Sequence, residues 1–257
     1  MTLLSDQAED IRALVDSADP GAVWAVGGPD GVHASSPPPD GDAARDVGGL
    51  APVLALWPVI GSLVEEGALR LHTPLATYGD AAAADASRAA TAHQLLTRTD
   101  GTAALTRLAE HLGDATLAEL AATRVWHPLG MTGTRFADGT LLAPLADLVR
   151  FQRHLLSPAD TAGAAALTRT WVTESLRIRT GELTPARGLL WHPAPHGVWC
   201  HHAPQDGGPA LWVSPRHHRW ALLLPAAAPA CLSTACLRPA SLRTAFREAL
   251  FAPISAP

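Results

Sequence analysis

Six of the twelve histidines fall within one late stretch: His192, His196, His201, His202, His217 and His218, with Cys200 among them. An imidazole near neutral pH can act as acid, base or metal ligand. In the segment GVWCHH a strand would point Cys200 and His202 to one face and His201 to the other, with His192 joining them across a turn. A zinc site needs three or four converging ligands, and this spacing matches no standard set, so no metal or other cofactor is expected. Proton transfer is the remaining chemistry. His202, His201 and Asp206 are the candidates for it, close enough in sequence to share one pocket edge.

Nucleophilic chemistry has poorer material. Ser62 lies late in the first long helical pattern, and Ser35 and Ser36 sit in a loop with no evident base. The chain has no Lys and no Asn, and all 19 of its basic residues of the Lys and Arg classes are Arg. A serine therefore has no lysine to activate it. Arg98 and Asp100 read as a pair that fixes a loop. Most of the eight Trp read as core residues, and Trp57 could line a pocket.

The elements that must position these residues follow from pattern. Ile11, Leu14 and Val15 form the stripe of a first helix. GAVWAVGG reads as a strand, Pro29-Asp30-Gly31 as a turn, and VHASS as the returning strand. Residues 50–69 are apolar with helical spacing, interrupted by Pro52 and Pro58; Pro58 should kink or restart the helix. Helical patterns recur at 91–98, 103–112, 114–127, 144–156 and 159–177. RGLLWH, GVWCHH, PALWVSP and RWALLLP then read as successive strands, with PAPHG and SPRHH as tips. Leu242, Phe246 and Leu250 mark a last amphipathic helix. This order predicts an α+β fold: an antiparallel sheet built from both ends of the chain, flanked by helices, with an α insertion. One domain is expected over 1–257, its α/β part being 1–60 and 178–257 and its helical part 61–177.

Composition narrows the function classes. A net charge of −5 and no basic patch argue against nucleic acid. No apolar run is long enough for a membrane span, and the N-terminus lacks the pattern of a secretory signal. Three cysteines, an odd number, suggest reduced thiols and a cytoplasmic protein. The excess of Ala, Arg, Pro and Gly is what codon bias in a GC-rich genome produces.

Four segments, in order, carry a resemblance: SLVEEGALRLHTPL (62–75), TAHQLLTRTDG (91–101), WHPLGMTGTRF (126–136) and GGPALWVSP (207–215). LLAPLADLVRFQRHLL (141–156) adds to them. Together they resemble the β-lactamase-related serine hydrolases, which include class C β-lactamases, penicillin-binding proteins and DD-peptidases. The resemblance implies an antiparallel sheet flanked by helices, with an all-α subdomain.

It also implies three catalytic motifs, and none is present. Counting back from Gly67 puts the nucleophilic Ser of Ser-x-x-Lys at Gly49 and its Lys at Pro52. A Gly has no nucleophile and a Pro no base. The interval 100–127, where Tyr-x-Asn belongs, holds neither Tyr nor Asn; the only Tyr is Tyr78. The Lys/His-Thr-Gly position reads Ala203-Pro204-Gln205, or His202-Ala203-Pro204 one residue earlier. The resemblance therefore implies a β-lactamase-like protein without acyl-serine activity. Such a protein would bind a small molecule or a protein partner through a vestigial cleft at Gly49, Pro52, Trp57 and Gln205. The alternatives are a repurposed enzyme of specialised metabolism, cyclising or isomerising through His and Asp in that cleft, and a serine hydrolase with non-standard motifs.

Overall fold

The computed structural model describes residues 5–37, 41–98, 100–158, 167–181, 185–202, 208–226 and 239–252. Its strands are β1 Val23–Gly28, β2 Gly31–Ser35, β3 Arg45–Asp46, β4 Arg135–Ala137, β5 Thr140–Ala143, β6 His192–Ala194, β7 Val198–His202, β8 Ala210–Ser214 and β9 Arg219–Leu224. Its α-helices are α1 Ser5–Ala18, α2 Trp57–Glu65, α3 Ala92–Leu96, α4 Thr102–Gly113, α5 Leu117–Ala121, α6 Leu145–Leu156, α7 Arg169–Ser175 and α8 Pro239–Phe251.

Six strands form one antiparallel sheet in the order β2-β1-β9-β8-β7-β6. Strand β1 from the N-terminal part pairs with β9 from the C-terminal part, Ala25 opposite Leu222. Alternation along the strands builds two cores, because successive side chains leave a strand on opposite faces. Val23, Ala25, Leu211, Val213 and Leu222 pack on one face with Val53, Ile60, Leu148 and Phe151. Trp24, Val26, Ala210, Trp212 and Leu223 pack on the other with Ile11, Val15, Leu242 and Phe246 of α1 and α8. Both faces are covered, so these strands are buried throughout rather than half polar. Buried Gln152 of α6 ties helix to sheet, donating to the carbonyls of Trp212 and Ala221 at 3.2 and 2.8 Å.

The segment before α2 is irregular for a covalent reason. A short 3-10 turn, Gly48–Leu50, runs into a π turn over Pro52–Leu56, and α2 follows. Pro58 has no N–H for the carbonyl of Leu54, four residues earlier. The indole N–H of Trp126 donates to that carbonyl instead, at 2.8 Å. The expected interruption at Pro58 is thus a widened turn with a side-chain substitute for the missing donor.

Two expectations need correction. RGLLWH is not a strand: Gly188 N–H donates to the Trp191 carbonyl at 2.8 Å, Leu190 sits at φ 63°, and extended pairing begins only at His192. The middle section is also not wholly helical. β4 and β5 form a hairpin that pairs with β3. Its tip, Asp138-Gly139, has φ 49° and 78°, the left-handed pair that Asp-Gly adopts at least cost. Of the expected helix at 159–177, residues 159–166 lie outside the described residues. Among the described residues no helix is long and apolar enough to cross a membrane.

Candidate functional site

Gly49 is placed by the small sheet. Val47 N–H donates to the Leu141 carbonyl at 2.8 Å, Gly48 N–H to the Asp46 carboxylate at 2.8 Å, and Leu50 N–H to the Val47 carbonyl at 2.7 Å. These bonds hold the turn at the mouth of a cavity of about 350 Å³, where Gly49 and Pro52 form part of the wall. Leu96, Leu190 and Trp191 make that wall largely apolar, and Thr102 is the one hydroxyl-bearing residue among the described lining residues.

The rest of the described lining, Gly188 apart, is basic. His192, His201 and His202 form it together with Arg187 and Arg98. Alternation on β7 separates His201 from His202, as the sequence suggests, yet both reach the same cavity. Strand β6, beyond β7, is only three residues long and pairs with Val198, Trp199 and Cys200, so neither histidine has a partner on it. The His192 ring lies 6.0 Å from that of His201 and 5.9 Å from that of His202.

The loop before β6 is fixed at three points. Leu190 N–H donates to the Leu96 carbonyl at 2.8 Å, Leu189 N–H to the Ser175 carbonyl at 3.1 Å, and Gly188 closes its own turn. Gly188 is required by close approach: a Cβ there would stand 2.2 Å from the Ser175 carbonyl oxygen.

His201 is buried, with Nδ1 at 2.8 Å from the Leu190 carbonyl and the Gly49 backbone also against the ring. A carbonyl only accepts, so Nδ1 carries the proton. Burial is the main reason its pKa falls to about 4. His192 also falls to about 4, first through burial and then through Arg187, His201 and His202. The Arg187 guanidinium donates to His192 Nδ1 at 2.7 Å. Both imidazoles are therefore neutral at pH 7.

Other candidates have structural partners. Trp57 is fully buried, donates to Ser175 Oγ at 2.9 Å, and packs edge-on against Trp191 with centroids 5.8 Å apart, behind the cavity wall. Ser62 donates to the Val59 carbonyl, and Ser36 accepts from Trp24 N–H. Arg98 and Asp100 form the expected pair, with two bonds of 2.9 and 2.8 Å at the cavity rim. His196 pairs with Glu248 and His217 with Ser214, away from the cavity. Cys200 points into the opposite core, where burial pushes its thiol up to about 11. Asp206, Gln205, Cys231 and Cys236 lie outside the described residues. Among the described residues no group of three or more potential ligands is arranged to hold a metal. Arg187 was not singled out from sequence, and no local motif marks it; the loop fold alone brings it to His192.

No family model and no curated protein matches the sequence. Solved structures do. A β-lactamase from Mycobacterium bovis aligns with a TM-score of 0.65 at 20% identity, over 94% of this chain and 99% of that one. A class C β-lactamase from Rhodobacter sphaeroides gives 0.67 at 12%, over 94% and 98%. This chain has the β-lactamase fold. The octameric penicillin-binding protein homologue from Pyrococcus abyssi shares it, with a TM-score of 0.70 at 12% identity over 94% of this chain and 75% of that one. At such identities the likeness concerns the fold and carries no activity across.

Proposed function

We propose that this chain is a β-lactamase-fold protein without acyl-serine chemistry that binds a small molecule in the cleft at Gly49. The observation that carries the reading is a cavity with Gly49 and Pro52 in its wall, the residues that counting from Gly67 assigns to the positions of the resembling family's nucleophile and base. Ser-x-x-Lys chemistry needs a hydroxyl and an amine there, and this wall supplies neither. The cavity lies at the small end of the ligand-site range of roughly 300–1,000 Å³. A concave, mostly apolar site with a few convergent polar groups suits binding.

A second reading rests on one observation. His201 and His202 line the same cavity, which suits proton transfer in a cyclisation or isomerisation. The low proton affinity of His201 weakens it as a base near pH 7.

Hydrolytic turnover tests the absence of acyl-serine chemistry. Incubation with a chromogenic cephalosporin and with p-nitrophenyl butyrate is expected to give no hydrolysis above buffer. Hydrolysis that disappears on substitution of a cleft residue would overturn the proposal.

A further inference from the structure

We propose that the cleft takes a small organic carboxylate with an apolar tail, and that His192 takes up a proton as the carboxylate binds. This rests on the cleft being a binding site and adds its ligand class and its control by pH.

Every charged or titratable residue among the described lining residues is basic: Arg98, Arg187, His192, His201 and His202. Arg98 already makes two bonds to the Asp100 carboxylate. Arg187 is different. Its guanidinium, a donor-only group shaped for the two oxygens of a carboxylate, meets a neutral imidazole nitrogen at 2.7 Å. Pro52, Leu96, Leu190 and Trp191 supply the apolar part of the same lining. A ligand matching this mixed lining has one carboxylate and a short hydrocarbon or aromatic body.

Among the described residues, the charged and titratable groups acting on His192 are Arg187, His201 and His202, and those acting on His201 include His202. Each is positive when charged, so each opposes protonation of the others. A carboxylate seated at Arg187 reverses the local field. Arg187 turns from His192 Nδ1 to the carboxylate, and Nδ1 takes a proton from solvent and becomes a second donor to the ligand, with no covalent bond formed to the ligand. Linkage is reciprocal: whatever raises the proton affinity of His192 on binding makes binding tighter on acidification. In the free protein His192 stays neutral down to about pH 4. Affinity should therefore climb as pH falls from about 7 towards 5, by at most about tenfold per pH unit for one linked proton.

The test is titration calorimetry with hexanoate and benzoate, and with hexanamide and benzamide as neutral counterparts, at pH 7.5 and 5.5. Two buffers of different ionisation enthalpy report the proton. The acids are expected to bind at least tenfold more tightly at pH 5.5 with uptake of about one proton, and the amides not to bind. Arg187→Gln should abolish binding while leaving the melting temperature within a few degrees. His192→Gln should leave weak binding with no pH dependence. Equal binding of acid and amide, binding of neither, or a pH slope that survives His192→Gln would each overturn the proposal. Acylation of the protein by a serine-directed probe bears on the loss of hydrolase chemistry and leaves this result unchanged, so the two readings fail separately.

Discussion

The Nδ1 of His201 lies 2.8 Å from the carbonyl oxygen of Leu190, a residue held at φ 63°. A non-glycine residue in the left-handed region costs roughly 1–2 kcal/mol and persists only where surrounding bonds hold it. The imidazole supplies one such bond and the Leu96 carbonyl another. His201 thus fixes the loop that carries Arg187 and His192 into the cavity.

Replacing His201 with Ala should destabilise the protein by about 2–4 kcal/mol, because a buried carbonyl loses its donor and a cavity remains. Urea denaturation measures it. A loss below about 0.5 kcal/mol would mean that the bond does not hold the loop.

Stability should fall on acidification through the same residue. The folded-state pKa of His201, about 4, lies below the ordinary 6.5, so the unfolded chain binds more protons between these values. This contribution is fully present above about pH 6.5 and is lost as pH drops towards 4. It amounts to at most about 3 kcal/mol. Denaturation series at pH 7.5 and 4.5 should show the drop in the wild type and a smaller one in His201→Phe.

Trp126 and Pro58 should be coupled. Trp126→Phe leaves the Leu54 carbonyl without its indole donor and should cost about 1–3 kcal/mol. Pro58→Ala returns a backbone N–H to that carbonyl, so the Trp126→Phe cost should shrink in the Pro58→Ala background. A double-mutant cycle with no interaction energy would contradict the substitute-donor account.

Gly188→Ala should cost at least about 2 kcal/mol, since its Cβ would meet the Ser175 carbonyl and, at 3.0 Å, the Trp199 ring. Thermal unfolding would show it. An unchanged melting temperature would mean that the loop can shift away from Ser175.

Much of the scaffold is written in local pattern. Trp24 and Val26 alternate with Val23 and Ala25, and that period assigns β1 to a sheet with two covered faces. Pro29-Asp30-Gly31 announces its turn. The Asp138-Gly139 hairpin carries an equally strong turn signal, but it lies between the helical patterns at 114–127 and 144–156, inside the part expected to be helical. The site is less legible. Nothing about a leucine announces a left-handed backbone at 190; that conformation comes from bonds to His201 and Leu96, distant in sequence. Arg187 reaches His192 only because that loop folds back. Counting from Gly67 leads to Gly49, which lines the cavity, whereas its histidine neighbours emerge only when β7 docks beside the turn.

The most direct measurement is intact-protein mass spectrometry after incubation with a fluorophosphonate and with a penicillin. The proposal that Gly49 and Pro52 stand where a nucleophile and base would be needed predicts an unchanged mass with both reagents. A stoichiometric adduct mapped to a residue of this cleft would contradict it.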